Sequence, residues 1–122
     1  MDLALWVGQC SLAVMFAVSG SVKLTQSKQR MLDTGQTGVA PFPLPVIRVV
    51  AAAELLAVPG LILPWATGVA PVLTPLAAAG LIVFMVGAAW SHARLRELKA
   101  VVINLALLGV AAFVLVGRLT AA

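Results

Sequence analysis

Residues 44–64 are the stretch that most constrains how this chain folds. They read LPVIRVVAAAELLAVPGLILP, which is long and apolar enough to cross a bilayer, yet Glu54 lies at the midpoint of the span 44–63. An ionised residue at the centre of a membrane helix costs about 2.5 to 3.5 kcal/mol even on insertion scales. Such a carboxylate is paired, protonated or exposed to a wet cavity. Glu54 therefore predicts a polar site inside the membrane.

Composition places the chain among integral membrane proteins. Of its 122 residues, 62% are hydrophobic and 10% are charged, and soluble domains carry about 25% charged residues. The length allows one domain, residues 1–122. The net charge of +4 comes from basic residues that flank apolar spans, which indicates membrane orientation and excludes nucleic acid as a partner. With Cys10 as the lone cysteine and one histidine, an intramolecular disulfide, a dithiol centre and a structural zinc site are excluded.

Four spans are predicted, at about residues 3–22, 44–63, 66–90 and 100–116. The 37 residues between Glu54 and His92 carry no charge, and as one helix they would extend about 55 Å, too long for a hydrocarbon layer of about 30 Å. Proline and glycine at 59–60 and 64–66 predict the turn, and Pro71 and Pro75 predict a bend in the third span. The expected fold is all-α, an up-down-up-down four-helix membrane bundle.

The two longer connections carry most of the basic residues. In the first, Ser27 is placed to cap a short helix, KQRMLD, that Gly35 ends. Together the connections hold six basic residues, whereas the opposite side holds only Arg118 (the six are Lys23, Lys28, Arg30, Arg94, Arg96 and Lys99). The positive-inside rule then predicts a multi-pass protein of the plasma (inner) membrane with both termini outside the cytoplasm.

The candidate site comprises Lys23, Arg48, Glu54, His92 and Asn104. All five lie at the midplane or in the cytoplasmic half, and every span contributes at least one, so a cavity that opens toward the cytoplasm would hydrate or pair them. Arg48 and Glu54 are about 120° apart around their helix and about 9 Å apart along it. We expect them to pair, directly or through His92 or water, because an Arg inside the membrane also needs a partner.

Each of these residues also has a purely structural interpretation. Asn104 alone is more typical of an interhelical hydrogen bond, Lys23 of a side chain snorkelling from a helix end, and His92 of a capping residue. Cys10 is expected to be buried as a small apolar residue, and the three tryptophans to anchor at the interface. Glu54 stands apart, since an intramembrane carboxylate is functional by default.

Several of these motifs resemble the DoxX-like family of membrane proteins. The ending of the first span, FAVSGSVKL at residues 16–24, is similar to that family's F-x-x-x-G-x-x-K-[LF] motif. Glu54 with GLILP at 60–64, TPLAAAG at 74–80, HAR at 92–94 and Asn104 follow in the same order. The resemblance implies a four-helix transmembrane bundle. It also implies a link to redox systems, since some relatives are membrane partners of thiosulfate:quinone oxidoreductase, and more distantly to chaperones of nicotinic receptor assembly.

Three functional hypotheses follow. The first is that the chain is a membrane subunit, or a binder of a quinone or other lipid-like molecule, in a redox-linked pathway. It would then be an accessory protein more than a self-contained enzyme. Electrons would then pass through the bound quinone or a redox partner protein. The second is a non-enzymatic chaperone or assembly factor that packs against partner helices. The third is a proton-coupled transporter, for which four helices give room only if the chain forms a homo-oligomer.

Overall fold

Four long helices account for most of the structure, a computed structural model that describes residues 2–120. They are α1 (Asp2–Thr25), α3 (Leu44–Thr67), α4 (Leu73–Arg94) and α5 (Leu98–Thr120), and each is long and apolar enough to cross a membrane. A short helix, α2 (Lys28–Asp33), and a 3-10 turn (Thr37–Val39) lie between α1 and α3. Helices suit such a sequence because every backbone polar group in a bilayer must be bonded within its own segment.

The long helices pack antiparallel, which confirms the predicted all-α four-helix bundle. Each one packs mainly against two others, in the order α1, α3, α4, α5 around the bundle. Large apolar side chains on the outer surface remain exposed, as expected for a surface in contact with lipid. The core is apolar and fully buried at its centre, where all four helices contribute (Leu12, Phe16, Leu61, Ala78, Leu81, Met85, Ala111 and Val114).

Helix α3 is longer than predicted, and the turn after it lies elsewhere. The helix continues through Pro59 and Pro64 to Thr67 and ends at Gly68, which adopts the left-handed conformation with φ of 73°. Pro64 lacks an N–H and so frees the carbonyl of Gly60. The Thr74 hydroxyl on α4 donates to that carbonyl at 3.0 Å, which is why the helix tolerates the proline.

Helix α4 does not carry the predicted proline bend. It begins at Leu73, so Pro71 lies in the preceding turn. Pro75 lies in the first helical turn, where a missing N–H removes no bond within the helix. Both prolines therefore mark the start of the helix instead of bending it.

The first connection, residues 26–43, folds back against the bundle. Ser27 caps α2 by accepting a hydrogen bond from the Arg30 backbone N–H at 3.2 Å, as the sequence predicts. Met31 and Val39 are buried together with Ile47 of α3. This small apolar cluster fixes the connection against the end of the bundle that we call the connection end; the opposite end, which carries residues 2 and 120, is the termini end.

Candidate functional site

Glu54 is buried and paired with a lysine from another helix. Its exposed fraction is 2%, and its Oε1 accepts a hydrogen bond from Lys23 Nζ at 2.8 Å. The other oxygen, Oε2, is buried and has no hydrogen-bond partner among residues 2–120. Lys23 Nζ also lies 4.6 Å from the centroid of the Phe84 ring on α4. A cation between a carboxylate and an aromatic face resolves the problem posed by a charge at the centre of α3.

The expected direct pairing of Arg48 with Glu54 is wrong, and His92 does not link them because its Nδ1 bonds to Glu97. Arg48 instead donates from Nη1 to the backbone carbonyl of Lys23 at 2.8 Å. That carbonyl belongs to the last turn of α1, where helix carbonyls lack intrahelical partners. Arg48 therefore binds the end of α1, and Lys23 is left to balance the carboxylate.

Lys23 does not snorkel toward water, because it lies on the buried face of α1. It is 8% exposed, and it continues a stripe of buried residues with helical spacing: Leu5, Gln9, Leu12, Phe16, Gly20 and Lys23. Intervals of three and four residues place side chains on one helix face. This spacing alone does not identify Lys23 in the sequence, because apolar residues also occupy the exposed face of α1, for example Val14 at 65% and Val18 at 61%.

A cavity of about 400 Å³ lies beside this ion pair, between α3, α4 and the first connection. The polar residues that line it are Lys23, Gln36, Ser91 and His92. The rest of the wall is largely apolar and includes Val46, Ile47, Val50, Val83, Phe84 and Trp90. The volume falls within the range of small-molecule sites, about 300 to 1,000 Å³.

The cavity borders the lipid-facing surface of the bundle. Three of its wall residues are largely exposed on α3 and α4: Val46 at 42%, Val83 at 74% and Trp90 at 57%. In a membrane protein such positions contact lipid chains. A molecule dissolved in the bilayer can therefore reach the cavity from the side.

A latch of hydrogen bonds covers the cavity at the connection end. Ser91 Oγ donates to the Gly38 carbonyl at 2.8 Å, the Thr37 hydroxyl donates to Glu97 Oε2, and His92 Nδ1 donates to Glu97 Oε1 at 3.0 Å. The hydrogen bond from Thr37, followed by that from His92, holds the pKa of Glu97 below its usual value. A side chain at Gly38 would meet His92 Nε2 at 2.8 Å, so this contact requires glycine.

The structure brings only part of the predicted site together. Lys23 and His92 line the cavity, Glu54 lies behind Lys23, and Arg48 contacts the backbone of Lys23. Asn104 donates to the Ala100 carbonyl of its own helix at 2.9 Å and is not among the residues that line the cavity. Among residues 2–120, no three His, Cys, Asp or Glu side chains are grouped so as to hold a metal ion.

A second polar cluster, which sequence reasoning missed, lies at the termini end. Arg118 is only 2% exposed; its Nε donates to Gln9 Oε1 at 2.6 Å and its Nη1 to Asp2 Oδ1 at 2.7 Å. Its guanidinium lies 5.2 Å from the centroid of the Trp6 ring and 4.6 Å from that of Trp65. These two tryptophans pack on a buried cation, in addition to any role as interface anchors.

The sequence carries no clear signal for this cluster, because α5 is apolar on its exposed face as well, for example at Val102 and Val116. Arg118 follows Ala111 and Val114 at intervals of three and four, so it continues the buried face of α5. Gln9 belongs to the buried face of α1 and donates from Nε2 to the Leu61 carbonyl of α3 at 2.6 Å. Cys10, next to it in sequence, is exposed and not buried as expected.

Comparison with known proteins agrees with the architecture. The model of the DoxX-like family matches residues 7–114, which covers all four long helices in whole or in large part. No curated protein and no solved structure matches the chain.

Proposed function

The chain belongs to the DoxX-like family, and from that premise we propose that this multi-pass membrane protein binds a lipid-soluble carbonyl compound of the quinone type in the cavity beside Lys23. The observation that carries the proposal is the position of Lys23. Its ammonium group has three N–H donors, and Glu54 accepts from one of them at 2.8 Å. The same side chain lines a mostly apolar cavity, where its remaining donors can serve a ligand oxygen.

The chemistry of the wall fits a flat ring with carbonyl oxygens and an apolar tail. Lys23 and His92 supply polar contacts at the inner part of the cavity, whereas Val83 and Trp90 extend to the lipid-facing surface. A quinone, when bound, would supply the capacity to carry electrons, which this chain's own side chains lack. Lys23, backed by Glu54, would orient its carbonyl and hold a proton at Nζ.

The proposed role is accessory. The chain holds and orients the ligand, and a redox partner protein would exchange electrons with it. Glu54 acts as a positioning residue: it holds Lys23 inward through their hydrogen bond but is not among the residues that line the cavity.

Trp90 provides the test, because it lines the cavity while Trp6 and Trp65 both lie by Arg118 at the other end. We expect decylubiquinone, a short-tailed benzoquinone, to quench the fluorescence of the purified protein saturably, and Trp90→Phe to lose this response. Gly87→Leu should weaken binding by about tenfold, because Gly87 lines the cavity and a larger side chain there would occupy it.

Gly80→Leu is the matched control. Gly80 lies two turns away on the same helix, and at both glycines an added Cβ would meet no atom within 4 Å. This variant should bind like the wild type. Equal binding by the wild type and Gly87→Leu would overturn the proposal. A stoichiometric partner protein with no quinone binding would favour the chaperone hypothesis instead.

A further inference from the structure

A groove lies between α1 and α5 at the termini end, at the opposite end of the bundle from the Lys23 cavity. Its volume is about 740 Å³. The end near the helix termini is polar, and the wall becomes apolar toward Gly109, which lies nine residues or about 13 Å before Arg118. Its polar lining consists of Asp2, Arg118 and Thr120, and its apolar lining includes Leu5, Phe113 and Val116.

The polar end of the groove is an ion pair with unused bonding capacity. A guanidinium has five N–H groups, and Arg118 directs one to Gln9 and one to Asp2. Its Nη2 is buried and has no acceptor among residues 2–120. A buried donor without an acceptor is costly.

The two charges of this pair differ in their accessibility. The Asp2 side chain is 71% exposed, whereas that of Arg118 is 2% exposed and flanked by Trp6 and Trp65. A headgroup that reaches the site therefore meets the carboxylate first, with the cation behind it. This arrangement favours a molecule with a positive group next to a negative one and disfavours a purely anionic headgroup.

We propose that this groove is a binding site for a zwitterionic aminophospholipid. The ammonium group of the lipid pairs with Asp2, its phosphate accepts from unused N–H groups of the Arg118 guanidinium, and one acyl chain lies along the apolar wall toward Gly109. The site is separate from the Lys23 cavity, so its ligand is a structural lipid that seals α1 against α5 and not the quinone-type ligand proposed above.

Two glycines on different helices allow a test that leaves the charged groups untouched. Gly109 and Gly80 are both exposed, and an added Cβ at either would meet no atom within 4 Å, but only Gly109 lines the groove. Purified protein is titrated with phosphatidylethanolamine and the bound lipid is counted by native mass spectrometry. Gly109→Leu should weaken binding by about tenfold, the effect of losing contact with about two methylene groups. Gly80→Leu should bind as the wild type does.

The headgroup assignment is tested by the same titration with phosphatidylglycerol, which is anionic and lacks an ammonium group. The wild type should prefer phosphatidylethanolamine, and Asp2→Asn should abolish that preference. Equal affinity of the wild type for the two lipids would overturn the zwitterion assignment. Equal binding by wild type, Gly109→Leu and Gly80→Leu would overturn the groove as the site, and Nη2 would then be satisfied by something smaller, such as a water molecule.

Discussion

Lys23 and Glu54 illustrate how two residues that are each costly in a bilayer become tolerable together. A buried ion pair gains little over a well-packed apolar pair, because the desolvation of both charges offsets their attraction. Removing only one of the two charges is strongly destabilising, because the remaining buried charge is left uncompensated. The 2.8 Å contact and the burial of both side chains place this pair in that class.

The pair leads to a prediction about stability. Lys23→Met and Glu54→Gln should each lower the free energy of unfolding, Lys23→Met by about 3 to 5 kcal/mol because it leaves a buried carboxylate without a cation. The double variant should recover much of the loss, because no unpaired charge remains. Thermal unfolding of the detergent-solubilised protein measures all three.

Asn104→Leu supplies the control for this cycle, since Asn104 bonds only to its own helix. Its effect should be within about 0.5 kcal/mol and additive with that of Glu54→Gln. Strict additivity of Lys23→Met and Glu54→Gln would contradict the coupling and leave Glu54 as a neutral acid.

Sequence reasoning located Glu54 and its burial but assigned it the wrong partner. Arg48 was the expected partner because it lies on the same span as Glu54. Its actual acceptor is a backbone carbonyl of α1, and residue types give no sign of such a bond. Lys23 shares the three- and four-residue spacing of Phe16 and Gly20, but only burial in the structure distinguishes that face of α1 from its other apolar faces.

At the scale of elements, the first connection is held to the α4–α5 turn by the latch through Glu97. Thr37 comes from that connection and His92 from α4, and they are the groups that bond to the carboxylate. Both require it ionised, because a protonated carboxyl accepts these hydrogen bonds poorly. The hold of the connection on the bundle therefore depends on pH.

The sign of this dependence follows from the lowered pKa of Glu97. Its contribution to stability is complete above the usual value of 4.5 and is lost as the pH falls through the lower value in the folded protein. We expect the wild type to melt at a higher temperature than Glu97→Gln at neutral pH, and the difference to disappear only as the pH falls below 4.5.

Thr37→Val is a second test of the latch, because the hydrogen bond from Thr37 makes the largest contribution to the lowered pKa of Glu97. With that hydrogen bond removed, the loss of stability should begin at a higher pH than in the wild type. A wild-type advantage over Glu97→Gln that is undiminished under the most acidic conditions at which both proteins stay folded would contradict this account of the latch.

The end of helix α3 is a boundary that the sequence does not predict correctly. Pro59 and Pro64 are both typical of turns, and the uncharged stretch between Glu54 and His92 is too long for one span. The sequence therefore predicts a break near residue 63. The helix passes Pro64 because Thr74, fourteen residues after Gly60, bonds to the carbonyl that this proline frees. That compensation comes from tertiary packing and has no local signal.

For the molecule as a whole, charge distribution predicts the orientation in the membrane. The connection end carries six basic residues, of which Lys23 is buried against Glu54, and Arg118 at the opposite end is buried in its cluster. This leaves the termini end with even less accessible positive charge than the count of six to one indicates. We propose that both termini face away from the cytoplasm.

Reporter fusions at the C-terminus measure this orientation. A reporter that works only outside the cytoplasm should be active there, and one that works only in the cytoplasm should be silent. The same reporters fused within the first connection, for example after Gly35, should give the reverse pattern. Activity of the cytoplasmic reporter at the C-terminus would refute the orientation.

The cluster around Arg118 and the bond from Thr74 to Gly60 have a mechanical consequence. Together they fasten all four helices at one end, while the other end holds a cavity and a surface latch. A helix that tilted in such a bundle would pivot at the fastened end. Over a helix of about 35 Å, a tilt of about 5° moves the free tip by about 3 Å. An opening of about 3 Å at the cavity therefore requires almost no rearrangement at the fastened end.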